Sequence, residues 1–285
     1  MNYLQILILA VIQSACELLP VSSSAHVIVA EKLMGLDPSS PEMTMLLVML
    51  HTGTMFAVIV YFWKGWKRDY FTSPVVIKDF GVQIATATIC TFIVGFGLKI
   101  VIEKLFMRGV SHAEIEDLFS NLLLIAGALA TVGALIIYAG FHEEKAPSRQ
   151  EIQLPQSVWI GILQGICLPF RGFSRSGATI STGLILGLPK RKLEEFSFAL
   201  AVVLTPPVIA REVLRLLKAH ALSGHGAVLH LFVPGLVGMV FSFIAGLFAL
   251  KWLSQWLEGG RWKFFGFYCL AASLAVLVIH FMLKA

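Results

Sequence analysis

Charge is what this 285-residue sequence has least of: Asp, Glu, Lys and Arg make up 14%, against 57% hydrophobic residues. A soluble domain of this size carries about 25% charged and 45–50% apolar residues. The shortfall excludes an ordinary water-soluble fold, and a mean hydropathy of +0.82 points to the bilayer as solvent. Cysteine is scarce as well. Cys16, Cys90, Cys167 and Cys269 each lie in an apolar stretch, with no CxxC or Cys/His spacing. That excludes a disulfide framework and a zinc site and leaves buried, inert thiols. Long basic runs are missing. The formal net charge is +5, yet no run exceeds Lys190, Arg191 and Lys192. Nucleic acid is therefore not the expected partner, and the excess reads as loop lysines and arginines that orient a membrane protein. The N-terminal apolar run from Tyr3 has neither a basic leader nor an A-x-A site, so it is expected to belong to the mature protein.

Apolar runs are what the sequence does have. Six are long enough to cross a bilayer, which takes about 20 residues. They cover residues 43–63, 79–102, 118–141, 196–217, 227–250 and 264–283. Two further apolar regions are broken. Residues 3–19 stop at Pro20 and run into Val-Ser-Ser-Ser; residues 157–168 stop at Pro169 and run into Phe-Arg-Gly-Phe-Ser-Arg-Ser. After each break a second short run reaches Gly35-Leu36 or Gly187-Leu188. Two short helices meeting at a polar turn read as a re-entrant hairpin, since broken backbone at membrane depth survives only against protein or a wet cavity.

The two broken regions resemble each other. Gln13-Ser-Ala-Cys-Glu-Leu-Leu-Pro20 aligns with Gln164-Gly-Ile-Cys-Leu-Pro169, and Ser22 to His26 aligns with Ser174 to Ala178. Each is followed by three spans. An odd number makes the second copy enter from the opposite side, which is an inverted-topology repeat with its site near the repeat interface. The expected fold is thus an all-α polytopic membrane protein. It has six transmembrane helices and two re-entrant hairpins, in repeats at 1–141 and 152–285. Loops 64–78, 142–156, 189–195 and 251–263 hold twelve lysines and arginines against seven on the other side. The richer side is expected to be cytoplasmic, with both termini and the mouth of the first hairpin facing outward.

Ionisable residues at membrane depth are functional candidates by default. The first turn supplies Glu17, Ser22, Ser23, Ser24 and His26, with Gln13 one helical turn before Glu17. The second supplies Arg171, Ser174, Arg175, Ser176 and Thr179. A helix N-terminus with free N–H groups, hydroxyls and a guanidinium is a ready anion site, and phosphate fits it best. Simpler readings remain open: Ser22 or Ser174 as plain N-caps, and Glu17 with Arg175 as a structural ion pair. His51, His230 and His280 read as structural, as do Arg211 and Glu212.

Glu17-Leu-Leu-Pro-Val-Ser-Ser-Ser-Ala-His26 and Gly172-Phe-Ser-Arg-Ser-Gly-Ala-Thr179 resemble the two signatures of the BacA/UppP undecaprenyl-diphosphate phosphatases. Those signatures are an (E/Q)xxxE segment leading into PVSSxxH, and PGxSRSxxT. The resemblance extends over nearly the whole chain, including Glu-Phe-Ser-Phe at 195–198. It implies a multi-pass enzyme of the bacterial cytoplasmic membrane. Such an enzyme removes the terminal phosphate of undecaprenyl diphosphate, recycles the carrier for cell-wall synthesis and confers bacitracin resistance. It implies Glu17, Ser23, His26 and Arg175 as catalytic residues. Ser22, Ser174, Arg175, Ser176 and Thr179 would be the phosphate ligands. Magnesium or calcium would be held by Glu17 and Gln13. A homodimer is compatible with it. Three departures stand out: Gln13 replaces the commoner first glutamate, Ala25 a glycine, and Arg171 the PG proline.

The expected mechanism is phosphoryl transfer between the turns. Arg175, Ser174, Thr179 and helix N–H groups hold the diphosphate. His26 acts as base on Ser23 or on water, or itself as nucleophile, and these routes stay open. The rival is a lipid-phosphate carrier or flippase without chemistry. Moving an anion needs the arginine but has no use for Glu17 and His26.

Overall fold

The structure is a computed structural model. It describes residues 1–37, 40–106, 121–142, 151–221 and 228–282. Among the described residues there are ten helices and no strand. In chain order they are α1 (Tyr3–Leu18), α2 (Ser23–Leu33), α3 (Pro41–Asp69), α4 (Pro74–Phe106) and α5 (Leu122–His142). The second half follows with α6 (Leu154–Cys167), α7 (Arg175–Ile185), α8 (Lys190–Ala221), α9 (Val228–Glu258) and α10 (Trp262–Met282).

Six of these are long and apolar enough to cross a membrane: Met43–Asp69, Pro74–Lys104, Leu122–His142, Lys190–Leu214, Phe232–Glu258 and Trp262–Met282. They are the six runs read from hydropathy, with shifted ends. The helices on either side of the charged loops run on past the apolar residues. Thus α3 continues through Lys64, Lys67 and Arg68, and α8 begins at Lys190 rather than 196. Positive side chains suit the last turn of α3, where Lys67 and Arg68 meet the partial negative end of the helix. Residues 118–120 of the third expected span, 227 of the fifth and 283 of the last lie outside the described residues.

The remaining four helices are short, and local chemistry starts and stops them. Asn2 caps α1, accepting from Gln5 N at 2.8 Å while Gln5 Oε1 accepts from Asn2 N at 2.9 Å. Pro20 lies just beyond the end of α1. Ser174 caps α7, its Oγ accepting from Gly177 N at 3.2 Å. Both second helices end at a left-handed glycine, Gly35 (φ 67°) and Gly187 (φ 75°). The next amide reaches back five residues in each case, Leu36 N to Glu31 O at 2.9 Å and Leu188 N to Gly183 O at 3.0 Å.

Packing pairs α1 with α2, α6 with α7, α1 with α9, α4 with α6, α3 with both α8 and α9, and α5 with both α7 and α10. In lipid, close backbone approach and buried polar links do what the hydrophobic effect does in water. On α5 and α10, Gly133 faces Gly266 so closely that a Cβ on Gly266 would lie 2.6 Å from Gly133 O. The Ser14 and Ser242 hydroxyls are 2.8 Å apart and join α1 to α9. Thr91 Oγ1 lies within 3.1 Å of Gly161 O and joins α4 to α6. Phe62, Phe196, Phe198, Trp262 and Leu250 belong to the largest apolar core, which Leu18, Ile180 and Leu184 extend up to the two polar turns.

Candidate active site between the two turns

Glu17 is the penultimate residue of α1, so its carboxylate projects where the helix stops. The chain then turns through Leu19–Ser22. Ser22 is the only non-glycine residue with positive φ among those described, at 67°. Such a conformation costs about 1–2 kcal/mol and is kept where the surroundings demand it. It brings Ser23 back under the helix end, where Ser23 Oγ donates to Glu17 Oε2 at 2.6 Å. From the other half, Arg175 opens α7, and its Nη2 donates to Glu17 Oε1 at 3.1 Å. The two turns, far apart in sequence, therefore meet at one carboxylate. Both side chains of the pair are about one-fifth exposed, 21% for Glu17 and 23% for Arg175.

A cavity of about 260 Å³ opens at this point. Glu17, Ser22, Ser23, His51, Gln164, Arg171, Ser174 and Arg175 form its polar wall; Leu168, Phe170, Phe173 and the thiols of Cys16 and Cys167 form the rest. Two arginines, an imidazole and several hydroxyls stand against one carboxylate, a lining whose excess of cations and donors suits an anion.

Two of these residues were not expected at the site. His51, from α3, has Nε2 4.0 Å from Glu17 Oε2 and 3.1 Å from Gln13 Nε2. Its Nδ1 donates to Leu47 O at 2.7 Å, so in the neutral ring Nε2 is the acceptor and Gln13 the donor. The available signal was the His51-Thr52-Gly53 break inside an otherwise apolar run. Gln164, which aligns with Gln13 in sequence, is fully buried; its Nε2 donates to Thr91 Oγ1 at 3.0 Å, and its Oε1 has no hydrogen-bond partner.

Four expected site residues sit beside the cavity and do not line it. His26 donates from Nδ1 to Ser22 O at 2.8 Å, and its Nε2 accepts from Tyr268 OH at 2.7 Å, with the rings stacked. It holds the strained turn from behind. Ser176 Oγ donates to Leu19 O at 3.4 Å, tying α7 to the first turn. Thr179 is fully buried, with Oγ1 2.6 Å from Ser197 Oγ and 2.9 Å from Arg175 O. Gln13 is 2% exposed and lies behind His51.

No group of three His, Cys, Asp or Glu that could hold a metal occurs among the described residues. Glu17 is the single carboxylate among the described residues on the cavity wall, and the buried Gln164, also on that wall, has an uncommitted neutral Oε1. This set fits a divalent ion completed by phosphate oxygens rather than one caged by protein alone, which is the usual manner of magnesium.

Comparison with known proteins follows the same lines. The sequence profile of the family described as bacitracin resistance protein BacA matches residues 6–275. The chain is 58% identical over 282 residues to undecaprenyl-diphosphatase 2 of Acinetobacter baylyi, covering 98% of each. It is 29% identical over 282 residues to an undecaprenyl-diphosphatase of Bacteroides fragilis, again covering 98% of each. It is 28% identical over 304 residues to an undecaprenyl-diphosphatase of Methanosphaera stadtmanae, covering 99% of this chain and all of that one. With its two signature turns meeting at a single ion pair and the match running almost end to end, this chain belongs to the bacitracin resistance protein BacA family.

Proposed function

We propose that this chain is an integral membrane phosphatase that hydrolyses undecaprenyl diphosphate to undecaprenyl phosphate and inorganic phosphate, returning the lipid carrier to cell-wall synthesis. The observation that carries this reading is Glu17, bonded at once to Ser23 of one turn and Arg175 of the other at a cationic cavity. Relatives matching over the full chain are named undecaprenyl-diphosphatase. A carrier or flippase needs a cation for its anionic cargo, but has no use for a carboxylate aligned on a serine hydroxyl. Detergent-purified protein given undecaprenyl or farnesyl diphosphate tests the reading by phosphate release; tight binding without release would return the carrier.

The four short helices act as two re-entrant hairpins in an inverted-topology repeat, 1–141 and 152–285. Their lengths support this: at about 1.5 Å per residue, α1 is ~24 Å and α2 ~17 Å long, against a hydrocarbon core of about 30 Å. The helix pairings support it too. Exchanging the halves turns α1/α2 into α6/α7 and α1/α9 into α6/α4, while α3/α8 and α5/α10 map onto themselves. The matched Gly35 and Gly187 stops agree. The correspondence is inexact, since α3 lies along α9 far more than α8 lies along α4. The lysine and arginine bias supports a cavity facing the outer side of the cytoplasmic membrane. A homodimer is compatible with the exposed apolar faces.

In the reaction, Arg175, Ser22 and Ser174 hold the terminal phosphate and offset charge developing on its oxygens. Ser23 stands at Glu17 as nucleophile or as a guide for water. Magnesium or calcium would be held by Glu17 together with phosphate oxygens, with the amide oxygen of Gln13 joining only on moving out from behind His51, and would supply further charge neutralisation. Ser176 and Thr179 serve phosphate binding by fixing the start of α7. His26 serves by holding the Ser22 carbonyl, and its Nε2 becomes a base or nucleophile for the cavity only on release from Tyr268.

A further inference from the structure

Arg171 is the second guanidinium on the cavity wall, at a position where the family pattern has proline. Phe173 N donates to Phe170 O at 3.1 Å, closing a turn with Arg171 and Gly172 at its centre. Gly172 has φ 100°, and a Cβ there would lie 2.6 Å from Ile125 O, so only glycine fits. The turn is thus clamped against α5, and Arg171 is presented from a fixed backbone. In the first half, α2 buries Glu31 to 1% exposure, with Oε1 lacking a hydrogen-bond partner. Burial acts most strongly on this carboxyl, and Arg171 is the cation whose charge acts against it. A buried acid is stabilised in its charged form only by such a counter-charge.

The two arginines differ in setting. Arg175 is engaged with Glu17 and partly buried, whereas Arg171 is exposed. Leu168, Phe170 and Phe173 share the wall with Arg171 and are its near neighbours in the chain. A polyprenyl diphosphate presents charge and grease in the same order. Its apolar chain is joined to the inner phosphate, and the terminal phosphate is farthest from the lipid.

We propose that Arg171, anchored by Glu31, forms a second phosphate subsite that holds the lipid-linked phosphate of a polyprenyl diphosphate. This rests on the phosphatase reading of the cavity. In the reaction the terminal phosphorus gains an oxygen from water and loses its bond to the bridging oxygen. The electron pair stays on that oxygen, now part of the lipid monophosphate, and the proton from water is released to solvent. Arg171 offsets the charge the leaving phosphate gains.

The test compares the full-length protein with Arg171→Ala, Arg171→Lys, Glu31→Gln and the Arg171→Ala/Glu31→Gln double variant. Farnesyl diphosphate is the substrate; farnesyl phosphate and inorganic phosphate are the inhibitors. Calorimetric binding of farnesyl phosphate is measured independently of turnover. Loss of a charge-assisted contact predicts that Arg171→Ala weakens farnesyl phosphate about tenfold or more and inorganic phosphate less than twofold. Arg171→Lys falls between, Glu31→Gln shows a smaller loss, and the double variant matches Arg171→Ala alone. Equal weakening of both inhibitors, or of neither, overturns the subsite. Additive losses in the double variant overturn the Glu31 anchor. If the wild type releases no phosphate at all, the phosphatase reading falls, and the binding measurement still decides for or against Arg171.

Discussion

Replacing Arg175 by lysine separates a working phosphate clamp from a structural ion pair. Lysine keeps the positive charge beside Glu17, so the pair that joins the two turns is not left with a lone buried carboxylate. What it loses is the planar fork. In the resting state Nη2 is bonded to Glu17 Oε1 at 3.1 Å, and the remaining N–H groups are those available to phosphate oxygens. A hydrogen bond to a charged group is worth about 1.5–3 kcal/mol, and about 1.4 kcal/mol corresponds to tenfold in rate. Losing one such bond in the transition state therefore lowers turnover by roughly 10-fold to 150-fold. The assay is initial-rate phosphate release from farnesyl diphosphate in detergent, with thermal melting to check the fold. Turnover within about twofold of wild type, with an unchanged melt, would refute the clamp and leave Arg175 as a lock between the halves.

Three further outcomes follow from the same geometry. Gln13→Glu adds a charged oxygen one turn from Glu17 and should lower the magnesium or calcium concentration needed for half-maximal activity; an unchanged midpoint with reduced activity would tell against metal binding at this pair. His51→Leu removes the acceptor facing the 2%-exposed Gln13, and a stranded buried donor costs about 1–3 kcal/mol, so the melting temperature should fall together with activity. Ser22→Gly relieves the strain of φ 67° and should stabilise by roughly 0.5–1 kcal/mol, whereas Ser22→Val should destabilise; comparison of the two melts checks this, and equal shifts would contradict it.

The six long helices were legible because apolar runs of that length have one common use, and the short ones because Pro20 and Pro169 interrupt theirs beside clustered serines. Glu17, Ser23 and Arg175 were legible as types of residue that lipid does not tolerate without purpose. Hydropathy alone set the ends of α3 and α8 too early and too late, since a helix continues into charged residues wherever its hydrogen bonds do. His51 was set aside because one histidine in a span looks the same whether it faces the core or a cavity. The hydroxyls of Ser176 and Thr179 come from the same motif as Ser174, but on a helix enclosed on all sides only packing decides which way each points. The relation of Arg171 to Glu31 links positions in opposite halves, and no local pattern carries it.

The single carboxylate of the cavity has its cation in the other half of the chain, 158 residues later. During synthesis α1 and α2 therefore emerge before the cation that Glu17 bonds, and a lone carboxylate is strongly disfavoured in hydrocarbon. These two helices have reason to stay at the wet surface until α7 arrives, when docking of the two turns and formation of the cavity become one event. A chain truncated before residue 175 is then not a weaker enzyme but an unfinished insertion product. Supplying residues 152–285 as a separate polypeptide should let both halves settle in the membrane together.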